Sequence, residues 1–191
     1  MLDALNRFLA HPPFQSLQQH VHSFPIYRPY RLPEDFNEWS ALSTSTAFRD
    51  LVEHIDHPIH ATEINNRMGG LKILPCGWVD VPALMTGIHE ILLHDFGVEM
   101  LASEFPYHEL DPATGELEGK GKFDAIVFAE GIGVKQNPWF SGIDLRPLKG
   151  QVLELETDGW EADFVLMRKC FILPISPTKA VSGSTYEHTF H

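Results

Sequence analysis

If this chain does chemistry, its sequence suggests the backbone as the place for it. In Phe123-Asp-Ala-Ile-Val-Phe-Ala-Glu-Gly-Ile-Gly133 the apolar run Ile126, Val127, Phe128 ends in Ala129, Gly131 and Gly133. Small residues at the carboxyl end of a strand let a ligand approach main chain closely, and in open α/β sheets that edge is the binding crevice. The pattern therefore predicts a strand over 123–128, covered on both faces and ending at a ligand. A second candidate is Arg146-Pro-Leu-Lys-Gly-Gln151, a turn that feeds a strand over 150–155. Arg28, beside Tyr27 and Tyr30, is a candidate partner for an acidic substrate.

Other chemistries find less support. His54, His57 and His60 are close in sequence, but Pro58 ends any helix there, and no carboxylate and histidine pattern of a zinc site accompanies them; no metal is expected. Ser182-Gly-Ser-Thr lies in a strand pattern and there is no G-x-S-x-G elbow for a hydrolase nucleophile. Cys76 and Cys170 lack C-x-x-C spacing, so reduced thiols in a cytoplasmic protein are expected rather than a disulfide framework.

The whole chain has 191 residues, 43% of them hydrophobic and 21% charged, ordinary values for a globular protein with one substantial core or two small lobes. A formal charge of -12 argues against a nucleic-acid or anionic-membrane surface. An anion could still be held locally by helix N-termini and backbone amides. No stretch approaches the length of a membrane span, and the N-terminal stretch has a charge pair where a signal peptide needs an uninterrupted apolar core.

The elements that must position these residues read as mixed α+β. A first helix breaks at Pro12-Pro13; 14–22 is open between helix and strand. Phe24 to Tyr30 reads as an edge strand because of its prolines. A helical hairpin is expected over 33–42 and 46–54, then a strand over 71–74. Asp80 is set to cap a helix whose apolar face is Leu84, Met85, Ile88, Ile91 and Leu92, with Gly97 ending it. A strand over 98–101, a hairpin or meander around Asp111-Pro-Ala-Thr-Gly115, and strands over 150–155, 169–173 and 180–185 complete the reading.

Three blocks in this order resemble the FAD-dependent oxidoreductases of the D-amino acid oxidase and glycine oxidase type. They are Cys76-Gly-Trp-Val-Asp-Val-Pro-Ala-Leu84 leading to Gly97-Val98, the run Phe123 to Gly133, and Arg146 to Gln151 followed by Phe171-Ile-Leu-Pro and Val181-Ser-Gly-Ser-Thr-Tyr-Glu187. The likeness covers about the last 120 residues. It implies a mixed substrate-domain sheet with helices plus part of an FAD-binding domain, divided as 1–75 (substrate domain with a helical insertion), 76–140 (FAD-binding part) and 141–191 (substrate-domain strands). It further implies FAD contacts at Phe105, Ala129, Gly131, Lys149, Gly150 and Gln151, and substrate contacts at Arg28 and Phe171.

The implied activity is oxidation of a C–N bond of an amine or amino acid, with hydride transfer belonging to the flavin. Four departures accompany the likeness. No G-x-G-x-x-G motif occurs, the family's closing glycine-arginine-proline region is not seen, Glu130 stands where most relatives place Thr or Ser, and Phe171 lacks the hydroxyl that some relatives use on a substrate carboxylate. The reading is then of a fragment, lacking the phosphate-binding start and the closing segment and binding FAD poorly alone. Two alternatives stand beside it: a non-catalytic binding or interaction module that has lost the dinucleotide site, and a split enzyme with a separate phosphate-binding chain. A homo-oligomer is also open.

Overall fold

The computed structural model describes residues 2–74 and 76–188. Met1, Pro75 and the last three residues lie outside the described residues, and with them the outer ends of the 1–75 and 141–191 pieces. In chain order the elements are α1 (Leu2–Leu9), β1 (Val21–Ser23), β2 (Ile26–Pro29), α2 (Pro33–Ser43), β3 (Val52–Ile55), β4 (Gly70–Ile73), β5 (Gly77–Val79) and α3 (Val81–His94). Then follow β6 (Leu110–Asp111), β7 (Glu116–Leu117), β8 (Gly121–Lys122), β9 (Val152–Glu156), β10 (Val165–Met167), β11 (Phe171–Ser176) and β12 (Lys179–Gly183). Three-residue-per-turn helices cover Pro12–His20, Tyr107–Glu109 and Gly131–Gln136. The protein is α+β, built on a mixed seven-stranded sheet.

The chain divides into two compact units, 1–99 with 150–185, and 100–149 with 186–191. The larger holds the seven-stranded sheet, in order β3-β4-β2-β10-β11-β12-β9, with β2 and β10 parallel and every other neighbour antiparallel. Strand β2 is internal, not the edge strand its prolines suggest. Pro25 precedes it and Pro29 is its last residue, so neither interrupts the ladder that Ile26, Tyr27 and Arg28 make with β4.

Alternation then sorts the side chains. Tyr27, Leu166 and Ile172 form one cross-strand row and share a face. Under it lies a buried cluster of Tyr27, Ile55, Ile64, Ala162 and Phe164, with Tyr27 and Phe164 rings 5.1 Å apart. Asn66, buried beside them, donates from Nδ2 to the Tyr27 hydroxyl at 2.9 Å and to the Ile59 carbonyl at 2.7 Å. Gly69 turns the chain here at φ +76, where a Cβ would fall 2.0 Å from the Ile55 carbonyl oxygen. No other residue type fits that turn.

Helix α3 starts as its sequence dictates. Asp80 Oδ1 accepts the Ala83 amide at 3.1 Å, Pro82 sits in the first turn, and Gly97 (φ +62) ends the helix while Val98 donates to the Leu92 carbonyl at 2.9 Å. Leu84, Ile88 and Ile91 pack on Leu9, Phe14 and Leu17, and Met85 stays exposed. Helix α2 is held by Asp35, whose carboxylate accepts the Arg31 and Leu32 amides at 3.0 and 3.2 Å. The helix expected over 46–54 is absent. Residues 46–51 form turns and Val52–Ile55 is strand β3, because pairing with β4 buries Val52 on one face of the sheet and Ile55 on the other.

The smaller unit is a three-stranded antiparallel meander, β6-β7-β8. Asp111 sets its first turn, accepting from the Ala113 amide at 2.9 Å and the Thr114 hydroxyl at 2.9 Å. Neither strand expected on either side of it forms. Among the described residues, 98–101 and 123–130 fall in no strand.

Candidate functional site

The best-built concavity lies within the larger unit, on the sheet face opposite Tyr27. Two consecutive rows set its floor and wall, Leu173, Val181 and Glu154, then Lys179 and Glu156, with Phe171 at one end. Residues Trp78 to Pro82 close it from above. The space, half open to solvent, is about 740 Å³, inside the range of roughly 300–1,000 Å³ typical of small-molecule sites.

Each wall has a local cause. The β1–β5 pair, with His22 opposite Trp78, stacks those two rings at 4.0 Å and 18°, which fixes the indole beside the cavity. Asp80 arrives as the cap of α3. Its job at the helix start puts a carboxylate at the rim.

Of the residues expected to touch substrate, Phe171 lines this cavity and Arg28 does not. Arg28 follows Tyr27, so it belongs to the adjoining row with Met167 and Phe171, two strands and about 10 Å from Phe171. It is exposed, and its charge helps hold the Asp35 carboxyl below its ordinary value, an effect led by the Arg31 amide. Sequence reasoning missed Trp78, Glu154, Glu156 and Lys179 as cavity residues. The alternation Val152-Leu-Glu-Leu-Glu156 marks one face of β9 as acidic, but only the register with β12 shows what that face looks onto.

The residues expected against FAD fall in both units. Phe105, Ala129, Gly131 and Lys149 belong to the smaller unit, Gly150 and Gln151 to the larger. The strand expected over 123–128 is corrected here. Asp124 to Ala129 form no backbone ladder among the described residues, Val127 is 88% exposed, and Ile126 and Phe128 are half-buried. An apolar run becomes a covered strand only when neighbouring strands take up its amides and carbonyls, and the smaller unit's meander ends at Lys122 without offering one. Ala129 is exposed, and Gly131 (φ +58) opens a single short helix with open space where its Cβ would be.

Phe105 sits in an aromatic group. Its ring meets Phe128 edge-on at 5.4 Å, and Phe128 in turn lies 5.8 Å from Trp139 and 5.9 Å from Phe140. Glu130 is occupied: its carboxylate accepts from the Tyr107 hydroxyl in a short hydrogen bond and from Asn137 Nδ2 at 3.0 Å. That bond to a carboxylate raises the Tyr107 pKa. Lys149 is committed too, its Nζ 3.9 Å from Glu187 and its backbone paired with the same residue, while the Gln151 amide donates to Thr185 Oγ1 at 3.0 Å.

A pyrophosphate is held by amides together with cations or a helix N-terminus; beside Ala129 and Gly131 there are amides outside any ladder, but the side chain between them is the Glu130 carboxylate, so these residues alone do not make a pyrophosphate site. Metal chemistry has no assembled site either. His54 Nδ1 is bonded to the Tyr30 hydroxyl at 2.7 Å, His57 to Asp56 at 3.1 Å, and His60 lies edge-on to Phe164. Among the described residues no three His, Cys, Asp or Glu side chains are grouped to hold an ion. Cys76 and Cys170 are both free, and burial raises the Cys76 thiol pKa. No helix among the described residues is long and apolar enough to cross a membrane.

No protein-family model matches the chain, and no solved structure gives a significant match.

Proposed function

We propose that this chain is the substrate-side portion of an FAD-dependent oxidoreductase of the D-amino acid oxidase and glycine oxidase type, acting on a C–N bond of an amine or amino acid. The observation that carries the reading is the segment from Asp124 to Ala129. It has the composition of an inner strand, ends in small residues, and makes no backbone ladder among the described residues, with Val127 in solvent. Such a segment calls for neighbouring strands, and a dinucleotide-binding sheet, with its own phosphate-cradling turn, would supply them.

In this reading the cavity at Phe171 is the substrate pocket, and the flavin's phosphates are held by polypeptide that carries the G-x-G-x-x-G turn, as further sequence or as a separate chain. A cytoplasmic setting goes with it, since both cysteines are free thiols. The test is to express a reading frame extended on both sides, or to mix this chain with the polypeptide of a neighbouring gene. The product is expected to be yellow, to keep its flavin through gel filtration, and to protect the amides of 124–129 from exchange. A colourless product with those amides still open removes the oxidoreductase reading.

One observation favours a second reading, a ligand-binding module without redox chemistry: the cavity is complete within the larger unit, with no residue drawn from the smaller one. Ligand binding at this cavity with no flavin uptake by any extended form is the outcome that selects it.

A further inference from the structure

We infer that the cavity beside Phe171 selects a protonated amine carried on an apolar body and rejects carboxylates. This rests on reading the cavity as a substrate site, and it narrows the ligand from amines and amino acids to amines without an acid group. The apolar body is specified by Phe171, Leu173, Val181 and Trp78, and the charge by the opposite side.

Three carboxylates, Asp80, Glu154 and Glu156, line the space against a single ammonium, Lys179. Lys179 stands directly opposite Glu156 across the β12–β9 ladder, which sets those two charges against each other. Glu154 stands opposite Val181, an apolar residue, and has no hydrogen bond or ion pair among the described residues. Glu154 and Glu156 share one face of β9, two residues and about 6.5 Å apart, so each carboxylate feels the other. A cation entering the cavity relieves that repulsion and an anion adds to it. Asp80 spends Oδ1 on the Ala83 amide, which leaves its second oxygen for a ligand.

No arginine lines the cavity, and Arg28 is two strands away on the same face. A substrate carboxylate would therefore meet Glu154 without a guanidinium to receive it. Phe171 brings no hydroxyl to the same position.

The probes are benzylamine, benzyl alcohol and benzoate, matched in shape and differing in charge, each titrated into the full chain and followed by the amide resonances of β9, β11, β12 and residues 78–82. Benzylamine is expected to shift these resonances, to bind more weakly as salt rises, and to lose roughly three- to tenfold in affinity with Glu154→Gln. Lys179→Gln is expected to tighten benzylamine by roughly twofold. Benzoate is expected to leave the resonances in place. Benzoate binding as tightly as benzylamine, an unchanged benzylamine affinity in Glu154→Gln, or no shift with any probe overturns the inference. A yellow extended protein that binds benzoate here loses only the charge selection, whereas a colourless one that binds benzylamine loses only the flavin reading.

Discussion

Tyr27 and Phe128 are both aromatic residues in short apolar runs punctuated by small or turn-forming residues. Tyr27 is fully buried in the third strand of a seven-stranded sheet, and Phe128 is half-exposed in a segment with no ladder partner. The larger unit gives its apolar runs neighbours on both edges and three buried clusters beneath them. The smaller gives them turns, a meander of two-residue strands, and an aromatic group open to water. The difference lies in what each run finds beside it. An apolar run states a tendency toward a strand, and the ladder that realises it comes from residues far away in sequence.

The sharpest way to test that contrast is to truncate one aromatic in each unit. Phe164→Ala opens a void among Tyr27, Ile55 and Ala162 and is expected to cost about 3–5 kcal/mol of stability, measured by urea unfolding. Phe128→Ala removes a ring whose neighbours are themselves half-open, with an expected cost of about 1 kcal/mol. Equal costs would mean that the aromatic group of the smaller unit is a core of the same kind, and the contrast between the units would fail.

The alkaline limb of stability tests the same contrast with a smaller effect. Burial raises the Tyr30 pKa to about 12, helped by the nearby charges of Tyr27 and Asp35. A group whose folded value exceeds its unfolded one stabilises the protein fully below the unfolded value, here 10.0, and that contribution is lost as pH rises toward 12. Unfolding midpoints should therefore fall between pH 10 and 12 in the natural chain. In Tyr30→Phe that fall should be shallower, while the loss of the 2.7 Å bond to His54 lowers stability at neutral pH. A Tyr30→Phe profile that parallels the natural one would put the alkaline sensitivity elsewhere.

The sequence made the local elements legible and left the long-range ones hidden. The α3 cap at Asp80, its Gly97 ending, the Asp111 turn and strands β9, β11 and β12 follow from residues within a few positions of each other, whereas β10 is not read from the sequence. Strand β3 does not, because Val52 and Ile55 read equally well as one turn of helix until β4 lies beside them. Nor does the exposure of Val127, which depends on a partner strand that the described residues do not supply. At the site, Phe171 was legible as a residue of a returning strand. Glu154, Glu156 and Trp78 come into view only through register, because the cavity is assembled from β5, β9, β11 and β12, which are up to about 100 residues apart in sequence.

The smallest expected effect concerns Asp80, where a local rule and the long-range cavity meet. Asp80→Ala removes the acceptor for the Ala83 amide and is expected to cost about 1 kcal/mol. Amide exchange should quicken in the first turn of α3 while β11 and β12, whose ladders do not involve Asp80, keep their protection. Asp80→Asn separates the two roles. Its side-chain oxygen can still cap the helix, so stability should return to within a few tenths of a kcal/mol of the natural chain, but the negative charge at the cavity rim is gone. If Asp80→Asn is as unstable as Asp80→Ala, the carboxylate's charge against the helix dipole, and not its hydrogen bond, is what starts α3.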